Sequence, residues 1–394
     1  MLFLGCFFPK EKEGAMRARC RIMPSLAPTT LQYNLLEGIR AAGKSPRIIN
    51  IAPVGTFPRA HRDVILRRER YTTLGMDVLD PGTVNLPWLK QLIRARRIRR
   101  AILRSGEREL LIYSTYMPYL KAIHRLPPEY RVTVIVTDLL EDASYTAMSR
   151  FRRLQTRVMN RMVHKYLARV NAFVCLAEGM MEILGVGNRP ALIMEGIAGT
   201  RVPARTREDI RADKRVLLYT GGVWARYGIL DLLDAFSRIP DPRYELRICG
   251  WGDDVAAVKA AAERDRRIHF LGYLSKDEVY QEQRRATLLV NPRPANEAFT
   301  NRSFPSKTLE YMASGVPVLM HRLGAVPSDY DPHLYYFEGR SPEEMAAKIR
   351  VLCEQDDDTL YAFGNAAREF VLREKNPARQ GERILALMRA ARKG

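Results

Sequence analysis

Ser306, Lys307 and Glu310 lie in a stretch from Asn301 to Leu319, NRSFPSKTLEYMASGVPVL, whose residue types suit a ligand that is both charged and hydroxylated. Asn301 to Pro305 has no apolar rhythm and reads as a loop. Ser306 can cap a helix that runs on through Lys307 and Thr308, with Leu309, Met312 and Ala313 as its buried face. Gly315 stops that helix, Pro317 enforces the exit, and Val316, Val318 and Leu319 begin a strand. A helix start offers N–H groups that lack intrahelical partners, and Lys307 adds a mobile positive charge beside them. A diphosphate is the ligand such a start would hold. Glu310, on the same turn, cannot serve phosphate and suits the hydroxyls of a sugar or ribose.

Two further places carry polar chemistry at the ends of expected strands. In TGGVWARYGILDLLDAF, Gly221 and Gly222 permit close backbone approach after a strand, and Arg226 is the nearest cation. RVTVIVTD (131–138) is Val/Ile-rich without strict alternation, as a central parallel strand is, and it ends at Asp138. Side chains at such ends face the ligand crevice. Asp138 is therefore a candidate cleft residue, the alternative being a cap for the helix that follows.

Other polar residues have duller readings. The six histidines show no ligand spacing to one another or to a cysteine, and the five cysteines have no C-x-x-C spacing, so neither a metal centre nor a disulfide framework is expected. The acidic run Asp356 to Asp358 reads as a helix-start cap rather than a Mg²⁺ site. There is no D-x-D after a strand, so the diphosphate is expected to be neutralised by protein cations, without a metal.

These residues must be positioned by a chain of 394 residues, 46% hydrophobic, which suits two domains of similar size. Strand–loop–helix units recur throughout, the pattern of an α/β fold with parallel sheets. LFLGCFF (2–8) is the first strand, and a helix begins near Thr29 or Thr30 with Leu31, Leu35 and Ile39 on one side. No G-x-G-x-x-G follows that strand, which argues against a dinucleotide site there. Further strands are expected at 47–55, 109–116, 131–138 and 190–197, then from Val216 to Thr220, and at 244–254, 266–275 and 287–294. Residues 9–28 read as a long loop and 59–87 as less regular. The Arg-rich stretch from Gly199 to Lys214 reads as a linker between domains 1–198 and 215–375. The apolar start lacks a basic leader and reads as a core strand, so the protein is expected in the cytoplasm.

Net charge is +20, and its distribution is uneven. Residues 1–195 hold 32 Lys and Arg against 16 Asp and Glu, so an anionic surface or a phosphorylated acceptor is expected at the first domain. LPWLKQLIRARRIRRAILRSGE carries seven cations from Lys90 to Arg104 and no acid, with Trp88, Leu89, Leu92, Ile93, Ile98 and Ile102 as an apolar side. It reads either as a helix lying on anionic lipid or as an outer helix with a solvated face. A second helix, about 146–170, places Arg153, Arg157, Arg161, Lys165 and Arg169 in one row and Phe151, Leu154, Val158, Met162 and Tyr166 in a buried stripe. Such a row suits an anionic partner, or is absorbed by acids on other elements. Nucleic acid would need aromatic platforms or a recognised module, and the sequence offers neither.

The run from Ser303 to Val318 resembles the S-F-P-S-K-x-x-E-Y-x-A-S-G-x-P-V signature of retaining glycosyltransferases of the glycogen-synthase-like family, closest to the bacterial capsule and exopolysaccharide subgroup. The resemblance implies a GT-B fold, two Rossmann-like α/β domains facing each other across a cleft. The C-terminal domain would hold a nucleotide-diphosphate sugar and the N-terminal domain a glycan or polyprenyl-diphosphate-linked acceptor. It also implies that Ser306, Lys307, Thr308 and Glu310 bind the donor, with Lys307 and Glu310 at the reacting centre and Asp138 in place of a sugar-contacting His. Gly221, Gly222 and Arg226 resemble the first phosphate loop, although Val223 and Tyr227 stand where relatives commonly have Arg and Lys. Gly250 and Gly252 would leave room for the nucleotide, and Tyr273 and Leu274 would meet its base. Many relatives have a second glutamate where this chain has Arg302, and Glu297 lies five residues too early for it. A fixed acid pair is therefore not implied, and the leaving phosphate would assist the acceptor hydroxyl. No cofactor or metal is implied, and residues 376–394 would form a helix crossing back to the first domain. A sugar-nucleotide epimerase of the same architecture and a non-catalytic basic scaffold at a membrane are the competing readings.

Overall fold

The computed structural model describes residues 1–24, 26–139, 150–199, 201–210, 213–295, 300 and 302–393, with backbone alone over 150–155 and at 393. It divides into two compact units, Met1–Ile197 with Pro377–Gly394, and Ala198–Asn376.

In the first unit the apolar runs form strands β1 (Leu2–Gly5) and β2 (Arg47–Asn50). The stretch read as less regular holds β3 (Ile65–Leu66), β4 (Glu69–Thr73), β5 (Met76–Asp80) and β6 (Thr83–Val84). These were hard to see because β3 and β4 are largely exposed and carry little apolar alternation. β7 (Glu109–Tyr113), β8 (Arg131–Val136), β9 (Ala172–Cys175) and β10 (Ala191–Ile193) follow. The helices are α1 (Glu13–Ala18), α2 (Ala27–Ala41), α3 (Leu89–Ser105), α4 (Met117–His124), α5 (Arg150–Leu167) and α6 (Gly179–Ile183). α1 lies within the expected long loop, and α4 was not anticipated.

The main sheet runs β10-β9-β8-β7-β1-β2-β5-β4, parallel except where β4 turns back on β5. β1 lies between β7 and β2, so the strand order reverses there, and the loops leaving β1 and β7 part at the carboxyl edge.

Two helix faces differ from the sequence reading. On α3, Ile98 and Ile102 are buried as expected, but so are Lys90 and Arg94, while Trp88, Leu89 and Leu92 face solvent. Among the described side chains of α5 the buried ones are Val163 and Leu167, and Val158 is 48% exposed, while Phe151 and Leu154 of the expected stripe lie outside the described side chains. The stripe is thus turned by about one residue, roughly 100° around the helix. Arg169 does not extend the exposed row, because its Nη2 donates to the carbonyls of Pro127 and Tyr130 at 2.8 and 2.9 Å.

The second unit repeats the grammar with β11 (Arg215–Gly222), α7 (Ile229–Ser237), β12 (Tyr244–Trp251), α8 (Val255–Arg264), β13 (Ile268–Gly272) and α9 (Lys276–Arg285). It continues through β14 (Leu288–Asn291), α10 (Lys307–Ala313), β15 (Val318–Met320), β16 (Tyr335–Tyr336), α11 (Pro342–Cys353) and α12 (Asp357–Glu374). The sheet β13-β12-β11-β14-β15-β16 is parallel throughout. Asp356 caps α12 by accepting from the Thr359 amide at 2.8 Å, the role read for the acidic run. The stretch expected to be a linker is packed into this unit instead. Val202 joins the core around Met312 and Val316, and buried Arg205 donates its amide to the Ser314 carbonyl at 2.8 Å.

α13 (Pro377–Lys393) belongs to the first unit, where Ile384, Leu385 and Met388 share a core with Leu35 and Ile39 of α2. The two helices touch at Gly38 and Gly381. A Cβ at Gly381 would overlap the Gly38 carbonyl and stand 2.7 Å from the Ile39 nitrogen. Backbone cannot yield as a side chain can. Gly381→Ala should therefore lower the unfolding free energy by about 1–3 kcal/mol, overpacking outweighing the roughly 1 kcal/mol gain in helix propensity. Gly14→Ala in α1, where an added Cβ meets nothing within 4 Å, should leave stability unchanged or raised. Urea denaturation of both variants checks the contrast.

Candidate functional site

The carboxyl edge of the second sheet gathers most of the residues singled out from the sequence. Its centre is the end of β11. Val216 and Leu218 share one side of that strand with Thr220, but the ladder to β14 stops at Leu218. Thr220 would be left with an unpaired buried amide and carbonyl. The Tyr311 hydroxyl of α10 takes both, accepting from the Thr220 amide at 2.7 Å and donating to its carbonyl at 3.0 Å. Tyr311 thereby ties the signature helix to the end of β11 at Gly221 and Gly222, which extend the strand instead of forming the expected turn.

Lys307 and Glu310 meet on the exposed side of α10. The Lys307 Nζ donates to Glu310 Oε1 at 2.9 Å, and Gln283 Nε2 of α9 donates to the same oxygen at 2.9 Å. Burial works against both charges, yet their mutual attraction prevails. The carboxyl is held below its ordinary range by Lys307 and Gln283, and the ammonium is raised above its own by Glu310. The pair is ionised at neutral pH, with the lysine side chain still 40% exposed and able to turn toward a ligand. Gln283 was not anticipated, and its spacing along the chain offered no signal.

Ser306 stands at the N-cap position of α10 but has helical backbone angles and makes no capping bond, so its exposed hydroxyl differs from the expected cap. Thr308 does not join the site. It is fully buried, its hydroxyl faces the Met320 sulfur at 3.8 Å, and its amide donates to the Pro305 carbonyl at 2.8 Å.

The glycines at the strand ends are close-approach positions within the protein. Gly250, at φ 150°, has the Gly221 carbonyl where a Cβ would stand, and Gly252 has the Val223 backbone there. The space at these two positions is thus taken by the neighbouring strand end. Gly221 and Gly222 are partly exposed beyond it.

Arg226 is exposed, its guanidinium 5.5 Å from the Trp224 ring and 5.2 Å from the Tyr227 ring. Trp251 stands 5.2 Å from Trp224 and is 63% exposed, and Arg293 lies 5.8 Å from the Tyr227 ring. This aromatic and cationic group was missed. Its signal was available, since Trp251 follows Gly250 at the end of β12 and Trp224 stands two residues past Gly222, at the end of the paired strand β11. Tyr273 is 77% exposed after β13, beside the partly buried Leu274.

Asp138 lies in the first unit, exposed just past the end of β8, with Thr137 Oγ1 donating to its Oδ2 at 3.1 Å. Glu297 and Asn301 lie outside the described residues. Among the described residues no three His, Cys, Asp or Glu side chains are grouped to hold a metal ion.

Residues 214–355 match the family model described as glycosyl transferases group 1. No curated protein matches the chain by sequence. Sucrose-phosphate synthase from Thermosynechococcus elongatus is similar in structure at 14% identity, covering 99% of this chain and 99% of that chain with a TM-score of 0.67. The lipopolysaccharide outer core galactosyltransferase WaaB in its apo form is similar at 13% identity, 99% and 99% coverage and a TM-score of 0.61. Anabaena Alr3699/HepE in complex with UDP and glucose is similar at 14% identity, 98% and 97% coverage and a TM-score of 0.61. The fold is the GT-B type, built from two Rossmann-like α/β domains.

Tyr311→Phe tests the tie between α10 and β11. It should leave the Thr220 amide unpaired in the core and lower stability by about 1–3 kcal/mol, measured by thermal or urea unfolding.

Proposed function

We propose that the protein is a retaining glycosyltransferase that moves a sugar from a nucleoside diphosphate to a glycan or lipid-linked acceptor in the building of a surface polysaccharide. The observation that carries this reading is the paired Lys307 and Glu310 at the carboxyl edge of the second sheet, inside the segment that matches glycosyl transferases group 1. Two of the similar structures point the same way: one holds UDP and glucose, and another is a lipopolysaccharide galactosyltransferase.

In this reading Lys307 turns from Glu310 to the diphosphate, where its charge stabilises the leaving group. Glu310, released from the lysine, accepts hydrogen bonds from sugar or ribose hydroxyls, with Gln283 keeping one of its oxygens in place. Arg226 and Ser306 lie within the same edge and add donors for phosphate. Trp251 and Tyr273 present open ring faces to a base or sugar.

The two central residues should separate by ligand. Lys307→Ala should weaken both nucleoside diphosphate and intact donor by about 1.5–3 kcal/mol, the worth of a charged hydrogen bond. Glu310→Gln should weaken only the intact donor, because it frees the lysine for the phosphates. Calorimetry with a sugar nucleotide found by thermal-shift screening checks both. Unchanged nucleoside diphosphate affinity in folded Lys307→Ala would remove the assignment. Conversion of the donor to its epimer without acceptor would favour the epimerase reading.

We also propose that the first unit works at the cytoplasmic face of an anionic membrane. Among the described residues no helix is long and apolar enough to cross one. Support comes from an exposed apolar group formed by Ile22, Met23, Ile65, Trp88, Leu89 and Leu92. The backbone links its three segments: the Ile22 amide reaches the Ala60 carbonyl, and the Asn85 amide reaches the Val64 carbonyl, just ahead of Trp88. Arg21, Arg62, Arg68, Arg96 and Arg97, near these residues in the chain, are exposed as well. Basic residues close to an anionic surface contribute about 1 kcal/mol each, and the apolar tips can insert shallowly. The protein should sediment with anionic vesicles, poorly with neutral ones, and less at high salt, with Trp88→Ala weakening the interaction. Protein left wholly in the supernatant with anionic vesicles at low salt would end the membrane reading and leave the transferase reading untouched.

A further inference from the structure

The inner face of α3 carries two cations one turn apart, Lys90 and Arg94, only 6% and 4% exposed. Among the described residues neither is paired with a carboxylate. Lys90 Nζ donates to the carbonyls of Val54 and Gly55 at 2.7 and 3.1 Å. Arg94 Nη1 donates to the Tyr116 hydroxyl at 2.7 Å, and no acceptor meets its other donors among the described residues. Asp80 is the acid that feels Arg94, but it accepts from the Gly82 amide at 2.8 Å and forms no ion pair. The Cys6 thiol, pushed up to about 11 by burial, supplies no negative charge either. A buried guanidinium with one neutral partner is costly unless something anionic completes it.

The place is also where this architecture takes ligands. Strand order reverses between β7 and β1, and ligands of open α/β sheets bind outside the carboxyl ends of the strands at such a point. Cys6 leaves β1 there, and Ser114, Thr115 and Tyr116 leave β7, all partly exposed above the buried cations. Ser114 is held at φ 72°, a strained backbone for a residue with a side chain.

We propose that Arg94, backed by Lys90, forms a phosphate subsite at the switch point of the first unit. Its assignment to a phosphate carried by the acceptor rests on the transferase reading; the anion site itself does not. Arg94 is the permanent cation, and Lys90, which burial and the neighbouring Arg94 push down to about 7, takes up its full charge when an anion arrives. Together they match a phosphate dianion, the guanidinium fork presents paired donors to its oxygens, and the hydroxyls of Ser114, Thr115 and Tyr116 can add others.

Inorganic pyrophosphate is the probe, titrated by calorimetry into Lys307→Ala, in which the donor-side cation is absent. That variant should keep a pyrophosphate site, and adding Arg94→Gln should weaken it at least tenfold. Arg94→Lys keeps the charge and fills the same space but lacks the fork, and should weaken it several-fold. Arg94→Gln alone should bind uridine diphosphate as the parent does, so failure of the donor assignment would show only in the Lys307 variant. Pyrophosphate affinity unmoved by Arg94→Gln or by Arg94→Lys, in proteins folded by circular dichroism, overturns the subsite. Neutral phosphatidylcholine vesicles with and without a polyprenyl monophosphate identify the source. Arg94-dependent sedimentation only with the polyprenyl lipid assigns the phosphate to a lipid acceptor, and Arg94-dependent pyrophosphate binding without it assigns a soluble one.

Discussion

A parallel strand that outruns its neighbour leaves backbone groups with nothing to bond, and in the second unit one tyrosine hydroxyl meets that need. Tyr311 accepts from and donates to Thr220, where β14 no longer flanks β11. The hydroxyl sits in a fully buried place, so both bonds count at close to the cost of leaving them unmade. Fixing Tyr311 fixes the rotation of α10, since a helix offers only one side chain in three or four to a given face. With Tyr311 turned to the core, Thr308 is buried as well, and Lys307, one turn before Tyr311, and Glu310 are left partly exposed at the edge.

The Lys307–Glu310–Gln283 group is electrostatically complete without a ligand. Each charge satisfies the other, and Gln283 fixes the carboxylate oxygen from a second helix. An arrangement of this kind holds the lysine ionised and near a place of use, while its half-exposed amine can exchange one oxyanion for another. A phosphate that took the lysine would leave Glu310 without its counter-charge, so the exchange requires new hydrogen-bond donors on the carboxylate beside the Gln283 amide. Arg94 in the first unit is the contrasting case, with a single neutral partner and no carboxylate among the described residues.

α3 serves two purposes that its sequence merges. Its cations alternate between an inner face, where Lys90 and Arg94 are enclosed by the loops after β1, β2 and β7, and an outer face with Arg96, Arg97, Arg99 and Arg100 in solvent. Its start does the reverse with apolar residues: Trp88 is 83% exposed. Polar groups inside and large apolar groups outside both run against burial preference, and both exceptions occur on this one helix.

Much of the second unit was written in its sequence. Apolar runs bounded by glycine and proline gave the strands, and the run from Ser303 to Val318 gave the helix, its stop and the residues on it, because these depend on local periodicity and backbone limits. The first unit was less legible. The short strands from Ile65 to Val84 pair mostly with one another, β3 with β6 and β4 with β5, while only β5 reaches β2, and their exposed residues show no apolar rhythm. On α5 periodicity identified an apolar side but not which of two adjacent rows is buried, since that depends on where neighbouring elements lie. Lys90 and Arg94 were counted as surface charge because composition cannot tell a solvated cation from one roofed by loops. Local chemistry decides what forms a helix or strand. Which face turns inward, and which charge is left without a partner, depends on contacts between residues far apart in the chain, and only the tertiary structure decides it.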